Sequence, residues 1–306
     1  MRRVNDKTTA TLTSEAVASR SFGQQVWLQY KRNKAAMIGL VILCILLLVV
    51  IGTYVTDLVT GGSFYENYVI KQNLRARLAA PSAEHIFGCD ELGRDLFLRI
   101  LWGTRLSLLI GFVSTAIAML AGSTLGIIAG YYGKATDTII MRIMDVFLAI
   151  PSMVLSIAVV TGLGTSTFSL LMAIAVAQVP HFARVAKAAV ISIKDSEYVE
   201  AARTLGANDW DIIIKNIVPN AMSPIIVQAT LGTGNAILTV SSLSYLGLGI
   251  QPPAPEWGTI LSSAKMYMRD AWHISVIPGL AVMITVLTFN LMGDGIRDAL
   301  DPKMKN

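Results

Sequence analysis

The sequence predicts an all-α membrane protein with six transmembrane helices, and three observations lead there. The 306 residues are 54% hydrophobic and only 15% charged, with a mean hydropathy of +0.59, against roughly 25% charged in soluble domains. Stretches 35–56, 106–133, 146–183, 216–255 and 271–293 contain no Asp, Glu, Lys or Arg, and each can cross a hydrocarbon core of about 30 Å. The 25 basic residues fall mostly in 1–35, 131–142, 184–215 and 297–306, with the rest in 57–105 and 251–273. Such alternation places the first set and both termini in the cytoplasm, which requires an even number of spans.

Residues 1–34 form a cytoplasmic N-terminal segment. Near its end Phe22, Val26, Trp27 and Tyr30 recur at helical spacing before Lys31, Arg32 and Lys34, the pattern of a short helix lying in the membrane interface. The first span, 35–56, starts too late and runs too long for a cleaved leader. It carries Cys44, expected as a buried thiol. An extracytoplasmic loop follows over 57–99. On the second span Gly122, Gly126 and Gly130 make a stripe that lets another helix approach closely.

The 146–183 stretch divides into two spans at Gly162-Leu163-Gly164-Thr165-Ser166-Thr167, a turn-like cluster. The first begins near Ile139. Arg142 and Asp145, three residues apart, share a helical face and are expected to pair; Asp145 stands about 9 Å in from Ile139. His181 falls at the inner end of the second. Pro151, Pro180 and Pro278 each remove a backbone donor and predict kinks. The fifth span covers about 225–246 and the sixth 271–293, ahead of a cytoplasmic tail at 301–306.

Several chemistries are excluded. Two cysteines and three scattered histidines, His85, His181 and His273, provide no metal set and no catalytic triad. No phosphate-binding G-x-x-x-x-G-K-[ST] occurs, because Gly133-Lys134 is followed by Ala135. The net charge of +5 suits anionic membrane lipid and implies no nucleic acid. An intramembrane enzyme would need clustered polar groups within the spans, and a stand-alone carrier would need inverted repeats. Neither pattern is present.

The most informative segment is 191–220. Residues 197–205 favour a helix, Gly206 is its natural left-handed C-terminal cap, and Asn208 can cap a second helix whose first turn holds Asp209 and Asp211 beside Trp210. Pro219 is expected to end that helix, with Ile212, Ile213 and Ile214 available to face the membrane domain. Two short helices meeting at a glycine bend suit the docking of a soluble partner.

Glu200-Ala201-Ala202, then Gly206, then Pro219 resembles the signature loop of binding-protein-dependent ABC importer permeases. Where that pattern has Ile and Leu, this chain has Asn216 and Val218. F-G-C-D-E-L-G-R-D (87–95), A-R-V-A-K-A-A-V (183–190), S-Y-L-G-L-G-I-Q-P-P-A-P-E-W-G (244–258) and N-L-M-G-D-G-I-R-D-A-L-D-P-K (290–303) are similar to the dipeptide, oligopeptide and nickel branch, in its C-type permeases. The resemblance implies a type I ABC importer (MetI-like) core over 100–300, with the first span an added helix. It also implies a coupling loop that places Glu200, Ala201, Ala202, Gly206, Asn208, Asp209, Trp210 and Pro219 against an ATPase. The implied partners are a second homologous permease, two ABC ATPases and an extracytoplasmic substrate-binding protein, with membrane lipid around the spans. ATP and Mg are then bound by the ATPases and no cofactor by this chain, which sits in the bacterial plasma membrane. Di- or oligopeptide cargo is expected, with nickel or another small solute as the alternative.

Overall fold

The computed structural model describes residues 22–300. The tail 301–306 and most of the N-terminal segment therefore lie outside the described residues. Among the described residues the fold is helical, without a named strand. Five helices are long and apolar enough to cross a membrane, or six when one bent pair counts as a span.

Helix α1 (Phe22–Arg32) is the expected short amphipathic helix. Asn33 separates it from α2 (Lys34–Thr60) by accepting a 3.1 Å bond from the Ala36 amide. α2 buries little beyond Ala36, Gly39 and Thr53. Ile38, Val41, Ile45 and Leu48 are exposed, and so is Cys44, which corrects the expected buried thiol. An apolar helix can satisfy its sequence against lipid instead of protein. α2 packs on the last of the described helices, where Gly39 meets Thr288, Leu291 and Met292, and a polar link adds to this: Arg105 on α3 (Leu96–Tyr132) reaches Asp57 at 2.6 Å and the Thr53 hydroxyl at 2.7 Å.

α3 and α6 (Thr167–Ile193) make the most extensive helix pair. The glycine stripe is the reason. A Cβ added at Gly126 would stand 2.2 Å from the Ala183 carbonyl oxygen, while Gly122 and Gly130 face Phe182 and Val190. Small residues on both sides let the backbones meet, as the spacing predicted.

The third span differs from expectation. α4 (Lys134–Ala149) and α5 (Ser152–Leu163) are bent by 92° at Ile150-Pro151. A residue before proline is pushed out of the α region, and Ile150 has ψ +127. The Arg142–Asp145 pair does not form either. Arg142 is exposed, and Asp145 pairs instead with Arg184 of α6 at 2.7 Å, while Asp137 pairs with Lys187 at 2.5 Å. Both aspartates on α4 therefore clip it to α6.

After α7 (Glu197–Thr204) comes α8 (Asp209–Ile212), which continues through a π turn, Ile213–Ile217, into α9 (Val218–Tyr245). Pro219 does not end the second loop helix; it stands in the first turn of α9, where a missing amide hydrogen is tolerated. The fifth span is thus the end of one long helical run. α10 (Trp257–Ala264) is capped by Glu256, whose carboxylate accepts 2.9 Å bonds from the Gly258 and Thr259 amides. α11 (His273–Leu300) closes the bundle against α2 and α9.

At the α3 N-terminal end the 87–95 segment and the 250s loop are drawn together. Buried Asp90 contacts Arg94 at 2.6 Å and Arg99 at 3.3 Å, and Arg99 donates to the Pro253 carbonyl at 3.4 Å. Trp257 donates its indole N–H to the Ile100 carbonyl at 3.1 Å.

Candidate docking surface

The knuckle between α7 and α8 stands at the other end of α3, about 55 Å away along a 37-residue helix. Its shape follows from local backbone chemistry. Gly206 has φ +84, and two hydrogen bonds close the end of α7: Gly206 N–H to the Arg203 carbonyl at 3.0 Å and Ala207 N–H to the Ala202 carbonyl at 3.1 Å. That pairing is the Schellman arrangement, which needs a left-handed residue at this position. Two residues on, the Asn208 side chain accepts from the Asp211 amide at 2.9 Å and starts α8. Between them, Gly206 and Asn208 fix the turn from α7 into α8.

The inner face of the knuckle is seated on the bundle. Val199, Ile212, Ile213 and Ile217 are buried with Phe182, Ala186 and Val190 of α6, and Ala202 and Ala207 pack at the margin. Ile214 turns outward instead, because three consecutive residues cannot share one helical face. Tyr131, one residue from the end of α3, donates to the Asp209 carboxylate at 2.8 Å. Arg203 of α7 stands near the same hydroxyl, so both arms of the knuckle approach the end of α3.

Among the described residues none covers the outer face. Leu205 is 88% exposed and Trp210 67% exposed, on opposite sides of Gly206, whose surroundings are empty within 4 Å of an added Cβ. Glu200, Ala201, Asn208 and Asp209 are exposed around them, as is Pro219 farther along. Of the eight residues that the sequence assigned to the docking loop, seven lie on this compact element, and Pro219 stands apart in the first turn of α9. Leu205 is not among the eight; its signal was an apolar residue standing before the cap glycine in a charged segment. Two large apolar side chains held outward on a rigid turn can gain roughly 2 kcal/mol each when a partner buries them.

Gly122, Gly126 and Gly130 act elsewhere, inside the α3–α6 contact. Asp145 holds α4 to α6, and Arg142 joins neither group.

The comparisons with known proteins agree in direction. Residues 122–306 match the family model described as binding-protein-dependent transport system inner membrane component. Residues 21–81 match the model for the N-terminal transmembrane domain of oligopeptide transport permease C. The chain is 46% identical over 283 residues to a dipeptide transport system permease protein of Alkalihalophilus pseudofirmus, covering 92% of this chain and 90% of the relative. It is 43% identical to a glutathione transport system permease protein of Pectobacterium atrosepticum, covering 92% of each. A di/tripeptide transport system permease protein of Pseudomonas aeruginosa is 41% identical, with 92% of this chain and 93% of the relative covered. Among solved structures, the MetNI methionine ABC transporter in an inward-facing conformation aligns with a TM-score of 0.54 at 20% identity, covering 66% of this chain and 97% of that one. That likeness supports the fold.

Proposed function

Because the chain belongs to the family of binding-protein-dependent transport system inner membrane components, we propose that it is one permease of an ABC importer for short peptides. It forms the path with a second, homologous permease, two ATPases bind from the cytoplasm, and an extracytoplasmic binding protein delivers the cargo. The knuckle over 197–212 docks an ATPase. One observation carries the docking: Leu205 and Trp210 are held outward on either side of a capped glycine bend while its inner face is fixed to the bundle. ATP and Mg reside in the ATPases. The arrangement of basic loops puts both termini and the knuckle on the cytoplasmic side.

Peptide cargo is supported by the dipeptide, di/tripeptide and glutathione relatives, each named for the transport of a short peptide. No group of three or more His, Cys, Asp or Glu that could hold a metal ion occurs among the described residues.

Purification tests the assembly. Detergent extraction of the tagged chain is expected to bring down a second permease and two ATPases, and the Leu205→Asp, Trp210→Asp double variant to retain the permease while losing the ATPases. ATPases that stay bound to the double variant at full occupancy would refute the docking role. Cells lacking the chain are expected to lose uptake of labelled dipeptides.

A further inference from the structure

Three helices bring polar side chains to one place at the depth of the spans. Ser152 of α5, Gln178 and His181 of α6, and Gln228, Asn235 and Thr239 of α9 line a single concavity of about 230 Å³. Gln178 stands roughly 16 Å into α6 at 1.5 Å per residue, close to the middle of a 27-residue helix. His181 is mid-helix as well, because α6 continues past Arg184 to Ile193. Asn235 is exposed and lies about 15 Å from the C-terminal end of α9 by the same rise. The Gln178 side-chain nitrogen is buried without a hydrogen-bond partner.

Hydrocarbon cannot cover such a surface, because each unsatisfied polar group in lipid costs several kcal/mol. Water or a polar ligand can. The chemistry of the lining then narrows the ligand. Among the described residues its lining holds no Lys, Arg, Asp, Glu, Cys or Met, so it has no acidic or basic side chain beyond the single imidazole of His181, and one histidine alone is no metal-ligand set. Three primary amides dominate. Each offers an NH₂ donor and a carbonyl acceptor, the complement of the N–H and C=O of a peptide bond, whatever side chains flank it.

We propose that this concavity is a translocation site that takes peptide-backbone amides, with Gln178, Gln228 and Asn235 as its recognising groups. The proposal rests on the peptide-import reading above and adds residues and ligand chemistry to it. The 92° bend at Pro151 helps form the site, since it turns α5 so that Ser152 reaches the same concavity as α6 and α9. A volume near 230 Å³ is below the roughly 300–1,000 Å³ of complete small-molecule sites, as expected if the second permease supplies the facing wall.

The test uses the assembled importer with its binding protein in proteoliposomes. Gln228→Leu and Asn235→Leu are each expected to lower labelled trialanine uptake about fivefold, the effect of one lost hydrogen bond, with ATPase subunits retained. A second measurement does not depend on transport by a damaged path. In a Cys44→Ser background, Asn235→Cys is expected to react with a hydrophilic thiol reagent and to be protected by trialanine, while Leu120→Cys on lipid-exposed α3 stays unreactive. Cys89 is fully buried and does not interfere. Full uptake in both leucine variants overturns the proposal, as does an unreactive Asn235→Cys or a reactive one that peptide fails to protect. Failure of the unmodified importer to move any peptide overturns the parent reading instead.

Discussion

Substituting Gly206 separates the shape of the knuckle from its surface. At φ +84 with nothing within 4 Å of an added Cβ, an alanine meets no neighbour. The whole intramolecular effect is therefore the left-handed backbone, about 1–2 kcal/mol for an L residue and less for Asn, whose side chain tolerates that region. The buried face of the knuckle is untouched, so the bundle should still fold and insert. A loss of 1–2 kcal/mol lowers the equilibrium constant for the formed bend by roughly 5–30-fold, and ATPase affinity falls by no more than that factor if docking selects the bend. Gly206→Asp shares the smaller backbone effect of Asn and adds a charge to the docking face. The expected order of ATPase retention and of peptide uptake is Gly, Asn, Ala, Asp, with uptake abolished in the last. Retention is measured by dilution of the purified complex, and uptake and ATP turnover in proteoliposomes. The Asn-to-Asp difference isolates the charge from the conformation. Uptake by Gly206→Asp equal to the unmodified chain, at equal membrane abundance, refutes the role assigned to the bend.

Gly126→Leu is expected to abolish assembly, because even its Cβ would lie 2.2 Å from the Ala183 carbonyl oxygen and the α3–α6 pair cannot part without losing its contact; size-exclusion of the extracted complex reads this directly. Asp145→Ala and Arg184→Ala are each expected to destabilise by at most about 1 kcal/mol with a coupling of similar size, since the pair is half exposed, whereas Arg142→Ala leaves thermal unfolding unchanged; a larger effect for Arg142 than for Asp145 contradicts the observed pairing. Burial, with Asp95 and Asp90 nearby, pushes the Cys89 thiol up to about 11, so at pH 8 only about one in a thousand is thiolate. Maleimide should spare Cys89 in the folded importer, and rapid labelling at that pH would place it outside the buried cluster.

Much of this architecture was legible because charge-free length and glycine spacing are properties of one segment at a time. The spans, the α3–α6 stripe and the caps at Gly206 and Asn208 all depend on neighbours a few residues away. What escaped depended on direction or on a second helix. Pro151 marked a kink, but nothing in an uncharged apolar run says that the chain turns through 92°. Pro219 read as a stop, yet the π turn over Ile213–Ile217 precedes it, and a π turn widens the helix where a tight α turn would clash. The partner of Asp145 was sought three residues away on its own helix, while the true partner, Arg184, is on α6. Gln178, Gln228 and Asn235 escaped because each is a single neutral residue in a different part of the chain; only packing brings them to one concavity.

The continuity of α8 with α9 bears on how force could travel. Trp210 and Asn235 belong to the same helical run, about 37 Å apart at 1.5 Å per residue, so a displacement of the knuckle needs no relay of side chains to reach the polar concavity. α6 is locked to α3 by interdigitated small residues, whereas α4 and α5 meet at a break and α4 is held to α6 by ion pairs at least partly open to solvent. Because Ile212, Ile213 and Ile217 of the α8–α9 run pack on α6 and α9 packs on both α3 and α6, the run moves with that pair as one body, and the wall free to shift against it is α5 with Ser152, beyond the break at Pro151. Under the proposed docking, the ATPases would thus alter the peptide site by changing the separation of α5 from the other helices that line it, and the rigidity created by Gly122, Gly126 and Gly130 is what would make that separation responsive to a motion begun at Trp210.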